Sequence, residues 1–111
     1  MLSACLALSL HVLPGDWNSV HPCVRLEHGG WSLGAVLNSE RRVSVVAGHR
    51  WRQGECWAEL GLATGYSAAP VVPWNRAGCA IAPNVDLWGA VGATVNRDVG
   101  LVLGVEFTIG D

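Results

Sequence analysis

Apolar and other residues alternate with period two along most of the chain, and that alternation predicts β-strands. Leu2 to Val12 is largely apolar and stops at Pro14-Gly15-Asp16, a turn cluster. Cys23 to His28 alternates and stops at Gly29-Gly30. Trp31 to Asn38 puts Trp31, Leu33, Ala35 and Leu37 on one side and Ser32, Gly34, Val36 and Asn38 on the other. After the turn Asn38-Ser39-Glu40-Arg41, the stretch Arg42 to Arg52 separates Val43, Val45, Ala47, His49 and Trp51 from Ser44, Val46, Gly48, Arg50 and Arg52. Glu55 to Gly65 alternates again beyond Gln53-Gly54. Tyr66 to Asn84 holds three of the five prolines and reads as a long loop with short strands at its ends. Val85 to Val95 and Gly100 to Ile109 form a last hairpin around Asn96-Arg97-Asp98. No long segment carries apolar residues at helical spacing, and glycines interrupt nearly every candidate.

The expected fold is therefore all-β: one domain over residues 1–111, an antiparallel meander of six to eight short strands forming a small barrel or sandwich. One face of the sheet is apolar (Leu33, Val45, Leu60, Leu101, Leu103, Val105, Phe107). The other mixes Gly34, Gly48, Gly61 and Gly104 with Ser32, Ser44, Arg50, Glu59, Glu106 and Thr108. In a soluble protein the apolar face is the core and the mixed face meets water or a partner. In an outer-membrane barrel the apolar face meets lipid, and Arg50, Glu59 and Glu106 pair inside. Trp31 and Trp51 sit where an aromatic girdle needs them, whereas Trp57 falls on the mixed face, and the soluble arrangement is favoured.

Composition narrows the functions. Half of the residues are hydrophobic and 14% are charged, so the chain folds rather than staying disordered. Seven basic residues, all arginine, against nine acidic ones leave a net charge of −2 with no basic run, which argues against a nucleic-acid partner. No apolar run approaches the roughly 18 residues of a membrane-spanning helix. Leu2-Ser3-Ala4-Cys5 has the form of a lipoprotein cleavage box, but no charged or apolar leader precedes it. As written, the bacterial host cytoplasm is the expected compartment, or the cell envelope if Met1 lies inside a longer exported precursor. Cys5, Cys23, Cys56 and Cys79 are scattered and contain no Cys-x-x-Cys. They read as buried free thiols, with up to two disulfides in an exported protein.

The short motifs have structural explanations. Gly30-Trp31-Ser32-Leu33-Gly34 matches a hydrolase nucleophile elbow, but a strand follows the serine where a helix is required. His21, Cys23 and His28 include metal-ligand types, yet Cys23 and His28 point to opposite faces, so neither a metal nor a cofactor is expected. No spacing makes a catalytic set; the nearest candidates are His11, Ser44 and Glu59. The binding candidates are Trp74, Asn38, Arg50, Tyr66 and Glu27. Trp74, in the proline-rich segment, is the residue expected to be exposed for contact, since tryptophan and arginine are enriched at binding hot spots.

Several motifs in order are shared with a known group. His11 closes the first strand, Asn18 and Pro22 precede the second, and Glu27 lies within it. Asn38-Ser39-Glu40-Arg41-Arg42 then leads into Ser44 and Ala47-Gly48, followed by Thr64-Gly65-Tyr66 and Val71-Val72-Pro73. On these residues the chain resembles a family of small uncharacterised β-rich proteins of bacteriophages and proteobacteria. The resemblance implies that His11, Asn18, Glu27, Asn38, Ser39, Ser44 and Tyr66 form a special surface or pocket. The favoured function is a non-enzymatic phage or bacterial β-module that binds a protein partner or self-assembles into homo-oligomers, host-interaction and anti-defence roles included. The alternative is a small outer-membrane-type β-barrel with a polar interior and a lipid-binding, ligand-binding or hydrolytic site.

Overall fold

Eight strands realise the alternation. In a computed structural model, which describes residues 2–11, 18–67, 69–93 and 99–110, they follow one another as β1 (Leu2–His11), β2 (Val20–His28), β3 (Trp31–Leu37), β4 (Val43–Gln53), β5 (Cys56–Ala63), β6 (Val72–Ala82), β7 (Val85–Ala93) and β8 (Val99–Gly110). Each strand pairs antiparallel with the next, and β8 pairs with β1, so the meander closes into a barrel. Closure gives the outer strands of the meander partners for backbone groups that an open sheet leaves bare.

The two ends of the barrel differ. Gly29-Gly30, Gly54-Glu55 and Pro83-Asn84 make tight turns at one end, where β1 also begins and β8 finishes. Gly29 and Gly30 both have positive φ, as a two-residue turn matched to the strand twist requires. The connections after β1, β3, β5 and β7 emerge at the other end, the loop end. The expected turn clusters at Pro14-Gly15-Asp16 and Asn96-Arg97-Asp98 lie outside the described residues.

Closure puts the mixed face inside. Leu6, Leu8, Leu33, Val45, Leu60, Leu62, Leu101 and Leu103 point outward and are exposed, whereas Arg50, Arg76, Glu59 and Glu106 are buried. Glu106, Asn38 and Ser44 are the largest of the described side chains to be almost wholly enclosed. This corrects the favoured expectation that the apolar face forms the core. Among the described residues a small apolar cluster of Ala7, Trp57, Trp88 and Val102 packs within the barrel.

The interior glycines make room for rings. A Cβ on Gly78 would meet the indole of Trp57 at 2.9 Å, and one on Gly104 would strike the Trp88 indole at 2.5 Å. Trp57, Trp74 and Trp88 thus turn inward, while Trp31 and Trp51 face outward near the turn end.

Two further expectations are corrected. Residues 72–82 form a full strand rather than a loop. Proline costs a strand most where both neighbours are laddered. Pro73 pairs with Leu62 of β5, but the β6–β7 ladder starts only at Ala77; Pro22 likewise pairs with Leu6, while the β2–β3 ladder starts at Cys23. The cysteines are not free thiols. Register places Cys5 opposite Cys23 and Cys56 opposite Cys79, and both pairs are disulfides, the first facing inward and the second outward.

Candidate functional site

Inward positions along each strand run from the loop end toward the turn end: Ser44, Val46, Gly48 and Arg50 on β4; Val72, Trp74 and Arg76 on β6; Val102, Gly104 and Glu106 on β8. Polar, apolar and charged layers result. The charged layer joins three arginines to two glutamates. Arg50 donates to Glu59 Oε2 from Nε at 3.0 Å and from Nη2 at 2.8 Å, and Trp74 Nε1 donates to Glu59 Oε1 at 2.8 Å. Arg76 Nη1 donates to Glu106 Oε1 at 2.7 Å and places its Nε 3.5 Å from Glu59 Oε1. Arg25 Nη2 completes the set on Glu106 Oε2 at 3.0 Å. The Arg50 guanidinium also lies 3.9 Å over the Trp57 ring, a cation–π contact that explains a tryptophan on the mixed face. Buried charges need this degree of pairing to persist.

The polar layer lies toward the loop end. Asn38 Oδ1 accepts the backbone N–H of Glu40 at 2.8 Å and of Arg42 at 3.1 Å, which fixes the turn between β3 and β4. Its Nδ2 donates to Ser44 Oγ at 2.8 Å and to the Gly65 carbonyl at 2.9 Å, tying that turn to the segment after β5. The Ser44 hydroxyl in turn lies near enough to Tyr66 to act on its phenol. Asn18 holds the same turn through its backbone N–H, which donates to the Ser39 carbonyl at 2.8 Å. Ser39 Oγ lies 2.7 Å from His11 Nε2, Ser9 Oγ lies 2.6 Å from His21 Nε2, and His21 Nδ1 lies 2.9 Å from the Leu37 carbonyl.

Between these layers lies a cavity of about 510 Å³. Its walls include Ala7, Val36, Val46, Ala90 and Val102. Arg25, Arg76, Glu59 and Glu106 line its charged side, and His11, His21, Asn38, Ser39 and Tyr66 its mouth. An apolar chamber of this size with a few convergent polar groups is the usual form of a small-molecule site.

Tyr66 reports on the mouth. Burial pushes its phenol up to about 12, the Glu40 carboxylate adds to the rise, and the Ser44 hydroxyl opposes it. The fold favours the neutral phenol, so this contribution to stability is complete below about pH 10, the ordinary tyrosine value, and is lost as pH rises toward 12. Tyr66 is the only tyrosine in the chain. Near-ultraviolet titration of the folded protein is therefore expected to show phenolate with a midpoint near 12; a midpoint near 10 would mean that the mouth is open to water around this ring.

The structure brings His11, Asn38, Ser44 and Tyr66 together at the loop end and Arg50 with Glu59 in the charged layer. It does not assemble His11, Ser44 and Glu59 into one set, because His11 engages Ser39, Ser44 is held by Asn38, and Glu59 is held by arginines. Trp74 is not an exposed contact residue: it is on β6, half-buried, and bonded to Glu59. Glu27 lies toward the turn end and pairs with Arg52, away from the other residues of the resemblance. Sequence reasoning missed Ser9, Arg25 and Arg76. The signals were present: Ser9 and His11 share a face by alternation, and so do Trp74, Arg76 and Gly78 once the prolines are allowed within a strand.

No family model matches the sequence, and neither a curated protein nor a solved structure matches it. Its own geometry defines the class: a small, closed, eight-stranded antiparallel β-barrel with a charged interior and an apolar exterior.

Proposed function

We propose that this chain is an integral membrane β-barrel of the outer-membrane type, blocked to ions by its interior and holding an amphiphilic ligand in the cavity toward its loop end. The observation that carries this reading is the inversion of polarity, with arginine and glutamate inside and large apolar side chains exposed outside on all eight strands, leucine or valine on seven of them and Ile81 on β6. A partner protein or a second copy would cover one side of such a surface; a bilayer covers its whole circumference. About ten residues per strand at about 3.3 Å each, tilted by about 40°, span about 25 Å, the height of a membrane barrel's apolar band. Trp31 and Trp51 supply outward aromatics near the turn end, where an interfacial girdle sits.

Two details agree with a lipid exterior. Asn75 faces outward where the β6–β7 ladder has ended, and its side chain accepts from Val91 N–H at 2.9 Å and donates to the Val91 carbonyl at 3.0 Å. Backbone groups that lipid would leave unpaired are thereby satisfied. Two disulfides suit an oxidising compartment such as the bacterial envelope. The Arg–Glu–Trp layer obstructs the lumen, so the reading is a ligand-binding barrel rather than a pore.

Refolding the purified chain from urea in the presence of phosphatidylcholine vesicles tests this. The protein is expected to float with the vesicles, to stay with them through an alkaline carbonate wash, and to run faster on a denaturing gel unheated than boiled. A folded, monodisperse protein in plain buffer that ignores vesicles would overturn the reading.

A further inference from the structure

We propose that Ser39 and His11 are a nucleophile and its general base, and that they cleave carboxylic esters of amphiphiles whose acyl chain occupies the barrel cavity. The proposal deepens the ligand-binding reading above and rests on the cavity, independently of insertion into a membrane.

The hydrogen-bond chain constrains where the protons lie. A carbonyl oxygen only accepts, so His21 Nδ1, 2.9 Å from the Leu37 carbonyl, carries a proton. Neutral His21 then presents a lone pair at Nε2, and the Ser9 hydroxyl donates to it across 2.6 Å. With its hydrogen committed, Ser9 Oγ offers only lone pairs to His11 Nδ1 at 3.5 Å, a long contact compatible with the tautomer protonated at Nδ1. In that tautomer His11 Nε2 accepts from Ser39 Oγ at 2.7 Å. A hydroxyl aimed at the lone pair of an oriented imidazole is the arrangement nucleophilic catalysis needs. Ser39 and His11 both line the cavity mouth. Ser9 and His21 act through His11 and are positioning residues.

The chamber selects the substrate class. Apolar walls at Val36, Val46, Ala90 and Val102 accept a hydrocarbon chain and place its carboxyl end at the mouth. Ser39 Oγ bonds to the acyl carbon as its proton passes to His11 Nε2. The ester C–O bond breaks, and the alcohol leaves with that proton. Water then attacks the acyl-serine and gives a proton to His11. Release of the carboxylic acid returns that proton to Ser39.

A long-chain alkyl fluorophosphonate tests the pair on protein folded in detergent micelles, with adduct mapping by mass spectrometry. Wild type is expected to carry the adduct on Ser39. Ser39→Ala should abolish it, and His11→Gln should slow it by about 10²-fold or more, the usual contribution of a general base. Ser9→Ala should slow labelling about tenfold and change its pH profile, as a purely structural residue would not. Ser3→Ala, at the turn end and outside the cavity lining, should label like wild type. In parallel, hydrolysis of 4-nitrophenyl esters should rise from acetate to longer acyl chains. Heat-modifiable gel mobility confirms folding of each variant. Folded wild type that stays unlabelled, or an adduct on another serine, would overturn the assignment of Ser39; ester hydrolysis independent of chain length would overturn the assignment of the chamber. Failure to enter vesicles with labelling intact would remove the membrane reading and leave this one.

Discussion

Arg76→Leu is expected to destabilise the folded barrel by about 3–5 kcal/mol, the cost of breaking a buried ion pair from one side. Arg76 bonds Glu106 and lies beside Glu59, and both carboxylates are almost fully enclosed. Without the guanidinium, Glu106 retains Arg25 and Glu59 retains Arg50 and Trp74, but each almost fully enclosed carboxylate has lost a cationic partner. Adding Glu106→Gln to Arg76→Leu should lower stability further, since it takes from Arg25 the carboxylate to which that guanidinium donates. Urea titration of the refolded protein measures both. A loss below about 1 kcal/mol, the range of an exposed ion pair, would mean that solvent fills the lumen around this group.

Leu103→Arg has the second large expected effect, and it separates the two possible surroundings of the barrel. Leu103 lies mid-strand on β8 and faces outward, with 47% of its surface exposed. In a bilayer an arginine there costs about 2–4 kcal/mol. In water the same change at an exposed position stays within about 0.5 kcal/mol. Urea titration in vesicles should therefore show a large drop in stability, together with weaker flotation. Unchanged stability and retained flotation would show that Leu103 does not face lipid.

Much of the architecture was legible. Alternation along Trp31 to Asn38, Arg42 to Arg52 and Glu55 to Gly65 placed three strands and their turns, because side-chain direction in a strand is a local property of the backbone. Segment 72–82 was misread because proline was weighed without the ladders beside it, and ladders are a matter of register between distant residues. The same holds for the disulfides: nothing near Cys5 marks Cys23 as its partner until β1 and β2 are aligned. The candidate site was legible in part. Asn38, Ser44, His11 and Tyr66 were singled out from the chain, but Ser9 and His21 acquire a role only through a hydrogen bond between β1 and β2.

By itself the sequence determined an antiparallel meander with two chemically distinct faces. Only closure decided which of those faces is inside, since a period-two pattern is unchanged when the sheet is turned over. The physical reason lies in curvature. A closed sheet of eight strands has a concave side where backbones converge and space is short, and Gly34, Gly48, Gly61, Gly78 and Gly104 lie on that side. The glycine-bearing face curled inward, and it carried the arginines and glutamates with it.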